Sequence, residues 1–385
     1  MPEDTHAADT QATPFPRFIG SEIYRSSSYG AWHPLCVPRV STVMDLSRAM
    51  GWLPPDQYMT SPCAKPAALT SFHTTEYIAA LQAAETAQWV SPETRDRHQI
   101  GTHNNPVFHE MYRRPATSAG AAMMAGELLK TGGTIYTPAG GTHHGMPDRA
   151  NGFCYLNDPV LGIQSLRRNG AARIAYVDID AHHPDGVEHA FAQDSDTLIV
   201  SIHEENRWPR TGHLADTGVG NLMNCPIPSG ANDSNMALIR DRVILPAVTA
   251  FRPDAIVLQC GADAVLEDPQ SRLAMSNNAH WAVVAGLMGL ASRFMVLGGG
   301  GYNPWSVGRL WTGVWAVLNG HDIPETLPEA ATKVLAGLTW QGQSRVKTPP
   351  RHWIETLRDA PRDGPIHDDV RYAVNQLSAR LQVAI

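Results

Sequence analysis

The stretch that most restricts what this chain can fold into runs from Ala172 to Gly186 and reads ARIAYVDIDAHHPDG. Its first half is small or β-branched and is bounded by turn formers, the pattern of a strand buried in a covered sheet. Three carboxylates (Asp178, Asp180, Asp185) and two imidazoles (His182, His183) then arrive within eight positions. Burying so many ionisable groups at the end of a core strand is costly unless they pair or hold a metal. Residues two apart on a strand point the same way, so Asp180 and His182 can converge on one point. That is half of a metal site.

Around this stretch the apolar periodicity alternates between strand and helix. Strands are expected at Arg17–Tyr24, Gly133–Pro138, Leu198–Ile202, Ala255–Gln259 and Phe294–Leu297. Helices are expected at Arg39–Leu53, Thr74–Ala87, Thr117–Lys130, Leu161–Arg168, Val187–Ala192, Met236–Ala250, Ala279–Ala291 and Pro304–Leu318. Further helices follow over 328–384, the last amphipathic from Val370 to Leu381. Residues 91–110 read as a long loop, and residues 1–14 as a disordered tail before a single domain over 15–385. Such alternation implies an α/β fold with a parallel sheet covered on both faces. The polar clusters sit just after expected strands, where open parallel sheets place their ligand crevice.

Composition removes several function classes. The formal charge of −7 over 385 residues offers no basic face for nucleic acid. No apolar run approaches the ~18 residues of a membrane helix, and no signal-peptide pattern opens the chain. The five cysteines are scattered and form no C-x-x-C pair, which suits free thiols and a cytoplasmic location.

Four clusters carry the chemistry. Asp180, His182 and Asp263 offer two oxygens and a nitrogen to a metal, with a coordination position left for water, as a catalytic zinc requires. His143 and His144 need partners to fix their tautomers, and Asp178 and Asp185 are the carboxylates left near the metal pair. Tyr302 offers an O–H to a developing oxyanion, and Gly298–Gly301 before it permit close backbone approach or positive φ. Competing readings are weaker. Ser118 lacks the preceding strand of a nucleophile elbow. The glycine run matches no phosphate-loop pattern. A Cys154 nucleophile would leave the carboxylates unexplained.

At GGTHHGMPDRANGFCYLND (140–158), VDIDAHHPDG (177–186), QCGADAVLEDP (259–269) and VLGGGGYNPWSVGRLWTGVW (296–315) the chain resembles the histone deacetylase superfamily, and within it the bacterial acetoin utilization protein type. YGAWHPLCVPR (29–39) also resembles the family's N-terminal pattern. The resemblance implies the three-layer α/β/α arginase/deacetylase fold with a central parallel sheet. It implies zinc on Asp180, His182 and Asp263, with ferrous iron kept open. His143 and His144 become a tandem acid/base pair backed by Asp178 and Asp185, and Tyr302 the oxyanion-binding tyrosine. Gly152 and Phe153 fall on one wall of an acetyl-lysine tunnel and Trp208 on the other. Structural potassium is implied at Asp178, Asp180, His182 and Ser201, with a second site at Phe191, Asp194 and Thr197.

Three departures bear on substrate. Pro184 replaces a glycine in HHPDG. Asn105 stands for an aspartate that grips the substrate backbone. Gln270 replaces an apolar gatekeeper at the tunnel mouth. The expected activity is hydrolysis of N-acetyl-lysine, on a protein or peptide, by metal-activated water. The alternative is an acetylpolyamine-type amidohydrolase acting on a small acetylated amine. An arginase-like dinuclear manganese enzyme would want more carboxylates where Gly261 and Ala262 stand. A non-catalytic scaffold would not need the full constellation.

Overall fold

The computed structural model describes residues 15–340, 346 and 348–383; the expected tail over 1–14 lies outside them. Eight strands form one sheet: β1 Arg17–Gly20, β2 Tyr58–Thr60, β3 Gly133–Thr137, β4 Ile174–Asp178, β5 Thr197–Glu204, β6 Leu222–Ile227, β7 Ala255–Gln259 and β8 Arg293–Leu297. Their order is β2-β1-β3-β8-β7-β4-β5-β6 and every pairing is parallel. Helices cover both faces, which is why the central strands read as continuous apolar runs rather than alternating ones. Alternate residues feed different cores: Ala175 and Val177 of β4 pack with Ile256 and Leu258 in one, Ile174 and Tyr176 with Ala255 and Val257 in the other.

Register aligns the chemistry. Thr137, Leu297, Gln259 and Asp178 are paired across the four neighbouring strands β3, β8, β7 and β4. Each polar cluster begins within a few residues of that row. Behind it lies the helix Pro304–Asn319, begun by a proline and capped by the Asn303 side chain, which accepts from the Trp305 and Ser306 N–H groups. The Trp311 indole N–H of this helix donates to the Cys260 carbonyl at 2.8 Å.

Several expected elements shift. β1 ends at Gly20 and a short helix, Ile23–Ser26, follows. The edge strands β2 and β6 carry no clear alternation and were not expected. The segment 91–110 is not all loop: Pro92–His98 is helical, with Ser91 accepting from the Thr94 N–H and Gln99 closing it in the left-handed region. The cap, the proline at the first helical position and Glu93 in the first turn are a helix signature that the turn formers around it obscure. The helix expected at Met236–Ala250 contains a widened turn at Arg240–Ile244. Pro246 follows it, and a loosened turn relieves the clash of a proline ring with the preceding carbonyls.

Candidate active site

Asp180, His182 and Asp263 each present a ligand atom within 4.8 Å of the others, and all three are buried. His182 Nδ1 lies 3.2 Å from Asp180 Oδ1 and 2.9 Å from Asp263 Oδ2. Backbone and amide donors fix the carboxylates. Asp180 Oδ2 accepts from Gly300 N–H at 2.7 Å and Gln259 Nε2 at 2.8 Å, and Asp263 Oδ1 accepts from Ala181 N–H at 2.9 Å. The glycine run serves this packing. A Cβ on Gly300 would fall 2.1 Å from Asp263 Oδ2, and Gly299 and Gly301 have φ of 144° and 138°. With the Gly300 N–H on a carboxylate, a phosphate cradle is ruled out there.

The ion pairs of Asp180 and Asp263 are with histidines. Two buried carboxylates and one imidazole nitrogen make a donor set that matches a divalent cation in charge and in ligand type.

Beside it the tandem histidines are held from behind. His143 Nδ1 meets Asp178 Oδ2 and His144 Nδ1 meets Asp185 Oδ1, each at 2.7 Å. The two Nε2 atoms face each other at 2.9 Å. Burial works against charge on both rings. For His143 the carboxylates of Asp178 and Asp180 outweigh burial and raise the imidazole to about 9. For His144 burial and the neighbouring His143 lower it to about 4. The two rings are thereby pulled in opposite directions.

Their loop is tied by the residues of the LND segment. Asp158 accepts from Gly141 and Thr142 N–H at 2.8 and 2.9 Å. Asn157 Nδ2 donates to the carbonyls of His143 and Gly145 at 3.1 and 2.9 Å. Pro184 does not disturb the geometry. Its φ of −79° suits the ring, and it opens the helix Asp185–Phe191. His183 points elsewhere, to Thr211 Oγ1 and Glu188 Oε2.

An open groove of about 520 Å³ leads from the surface to His144, His182 and Tyr302. Gly152, Phe153 and Trp208 line it, as does Gln270 at its mouth. The Trp208 ring packs so closely on Gly152 that a Cβ there would lie 2.2 Å from it. Tyr302 is buried, and burial followed by the charges of Asp263 and Asp180 raises its phenol, so it stays a donor. Asp268 holds this tyrosine's backbone: one oxygen accepts from Tyr302 N–H at 2.6 Å, the other from Gln270 N–H at 2.9 Å.

Asn105 departs from expectation. Its side chain is not in the groove: Nδ2 donates to the Gln99 carbonyl and Oδ1 accepts from Phe153 N–H, both at 3.0 Å. It closes a turn and holds Phe153 in the left-handed region at φ 70°. The neighbouring Asn104 lines the groove instead. The alternative nucleophiles also fall away. Ser118 sits within the helix Arg113–Leu128 and donates to the Ala139 carbonyl at 2.8 Å, and burial raises the Cys154 thiol above its usual range.

For potassium the two expected clusters differ. Asp178 and Ser201 are register partners on β4 and β5. The Asp178 carboxylate takes His143, the Tyr176 hydroxyl at 2.5 Å and the Asp180 N–H at 3.0 Å. At the second cluster the carbonyls of Phe191, Asp194 and Thr197 converge on Asn221 Nδ2 at 2.8, 3.0 and 2.8 Å. The amide fills the space between them, so these carbonyls do not fit an ion.

Sequence reasoning passed over Gln259, Asp268, Asn157, Asn104 and Asn221. Gln259 did carry a signal: it is a polar residue ending an apolar strand, in the same row as Asp178.

Residues 33–318 match the Histone deacetylase domain. The chain is 30% identical over 350 residues to the acetoin utilization protein AcuC of Bacillus subtilis (strain 168), covering 86% of this chain and 88% of that one. It is 34% identical over 301 residues to histone deacetylase 8 of Xenopus tropicalis, covering 76% and 80%. Its structure superposes on the crystal structure of an HDAC homolog from Aquifex aeolicus with a TM-score of 0.88 at 34% identity, over 95% of this chain and 100% of that one.

Proposed function

The chain belongs to the histone deacetylase family and is a deacetylase-type amidohydrolase; from that premise we propose that it hydrolyses the acetamide of N-acetyl-lysine side chains with zinc as its metal. The observation that carries this reading is the floor of the groove, where two His–Asp pairs meet at 2.9 Å beside the Asp180, His182 and Asp263 triad.

Asp180, His182 and Asp263 would hold the ion. When bound, it supplies Lewis acidity, polarising the acetamide carbonyl and lowering the pKa of water. Phe153 and Trp208 flank the aliphatic stem of the side chain and exclude solvent from the carbonyl. His143 and His144, each with a carboxylate on its Nδ1, bring their Nε2 atoms together beside the metal triad, where one takes the proton of the attacking water and one gives a proton to the leaving amine. Asp178 and Asp185 behind them fix the tautomer and orientation of the two rings. Tyr302 donates its O–H to the oxygen that gains charge as the tetrahedral centre forms.

The test compares turnover of an acetyl-lysine peptide and N-acetylated diamines by the zinc-loaded protein. Preference for the peptide is expected, and preference for the diamines overturns the substrate reading. Tyr302→Phe is expected to fold normally and lose ~10²–10³ in turnover, the scale of one oxyanion donor; near-wild-type turnover removes the tyrosine from the mechanism.

A further inference from the structure

The mouth of the groove carries charge that the chemistry at its floor does not use. Three arginines line it, Arg207, Arg210 and Arg272, against two acids, Glu204 and Glu205. Arg207 is closed off: its Nε and a terminal nitrogen bond both oxygens of Glu204 at 2.7 and 3.0 Å. Glu204 is only 5% exposed, and its Oε2 also accepts from Arg272 N–H at 2.9 Å. That carboxylate faces inward and is fully engaged.

Arg210 and Arg272 are different. Both are exposed, and among the described residues neither guanidinium has a hydrogen-bond or ion-pair partner. Their backbones are nevertheless held. Arg272 is fixed on one side by Glu204 and on the other by Gly230 N–H, which donates to its carbonyl at 2.8 Å. Arg210 closes a turn onto the Arg207 carbonyl at 2.8 Å, with its own φ at 64°. Two unpaired cations on fixed backbone therefore flank the entrance, with Glu205 as the one carboxylate there not tied up. The neighbours that could have been acidic, Asn104 and Gln270, are neutral amides. This positive rim stands on a chain whose formal charge is −7.

We propose that Arg210 and Arg272 form a carboxylate-recognising subsite at the tunnel mouth, so that the preferred substrates are acetyl-lysines flanked by acidic groups. The proposal rests on the lysine-deacetylase reading and selects among its substrates. An acetylated polyamine would bring an ammonium to the same rim, where two guanidinium groups repel it and one exposed glutamate opposes them. Planar guanidinium groups bind carboxylates in a two-pronged geometry that suits this role.

The experiment uses fluorescein-labelled acetyl-lysine peptides of equal length whose flanking residues are acidic, neutral or basic, together with a labelled N-acetylated diamine. Each is titrated against the zinc-loaded protein at low and physiological salt, and hydrolysis is followed separately. Acid-flanked peptide is expected to bind about three- to tenfold more tightly than basic-flanked peptide at low salt, the scale of two exposed ion pairs, with the gap narrowing as salt rises. Arg210→Glu with Arg272→Glu is expected to invert the ranking; both side chains are exposed, and circular dichroism checks that the fold is kept. Equal affinities, tighter binding of the basic peptide or the diamine, or a ranking that survives the double reversal overturns the subsite. An intact ranking with no hydrolysis of any peptide leaves the subsite standing and removes the deacetylase reading. Hydrolysis without a ranking does the opposite.

Discussion

At the carboxyl ends of β4 and β7, two carboxylates and an imidazole nitrogen converge within 4.8 Å. At the amino end of the neighbouring strand β5, on the opposite rim of the same sheet, three carbonyl oxygens converge on one point at 2.8 to 3.0 Å. The chain closes the second cradle itself, with the Asn221 amide. It does not close the first, although Gln259 also brings an amide there. The difference is charge. Neutral carbonyls are satisfied by N–H donors, whereas carboxylates that accept every available N–H still keep their charge in a dry interior. An amide can fill the one and only brace the other.

Removing a carboxylate from the first cradle is the largest intervention. Asp263→Ala is expected to abolish zinc retention by elemental analysis and to cost more than the ~10–100-fold typical of outer partners; retained stoichiometric zinc would break the contrast drawn here. Gln259→Leu deletes the brace, together with the bond its Oε1 accepts from Gly261 N–H, and leaves the three ligands in place, so zinc affinity is expected to fall within that ~10–100-fold range, read by competition with a chelator. In the second cradle, Asn221→Ala takes a donor from three carbonyls, of which Phe191 and Asp194 keep the N–H groups of Asp194 and Thr197, so the loss is that of ordinary hydrogen bonds at about 0.5–1.5 kcal/mol each. Stability is expected to drop by about 2 kcal/mol with zinc content unchanged. Potassium, but not choline, should restore part of it in a melting experiment, because the vacated space is ringed by oxygens.

The smallest effect lies outside both cradles. His73 is buried, with Nδ1 facing the Met146 carbonyl and Nε2 accepting from Asn157 N–H at 3.0 Å, and burial lowers it from 6.5 to about 4. Between those values the unfolded chain binds the proton and the folded one does not, so stability is present above 6.5 and lost as pH falls toward 4. Acidifying from pH 6.5 to 5.5 should cost about 1 kcal/mol through this ring in denaturant titrations, and His73→Asn should flatten that slope.

The two cradles also differ in how visible they are in the sequence. The first is written in charged side chains placed after apolar strands, and Asp180, His182, Asp263 and the two histidine partners all stand where that pattern puts them. The second is built of backbone carbonyls, which every residue possesses, and its occupant is an ordinary asparagine before an edge strand. The same limit explains Asn105. Spacing along a loop does not say which of two adjacent asparagines faces inward, and the bonds to Gln99 and Phe153 decide it. The short strands β2 and β6 were hidden for a related reason, since contacts with distant parts of the chain overrule weak local patterns, whereas the helix Pro92–His98 carries its own start signal and was masked by the turn formers around it.

Asp268 gives the molecule a division of labour. One carboxylate grips the backbone of Tyr302 at the floor and of Gln270 at the mouth, so the two stations are strapped into a single body. The strap is made of main-chain N–H groups, and the Gln270 side chain takes no part in it. Side chains at the mouth can therefore be exchanged for new clients while the tyrosine below keeps its aim. Proline at position 270, which has no N–H to offer, would cut the strap and let a change at the doorway be felt at the hearth.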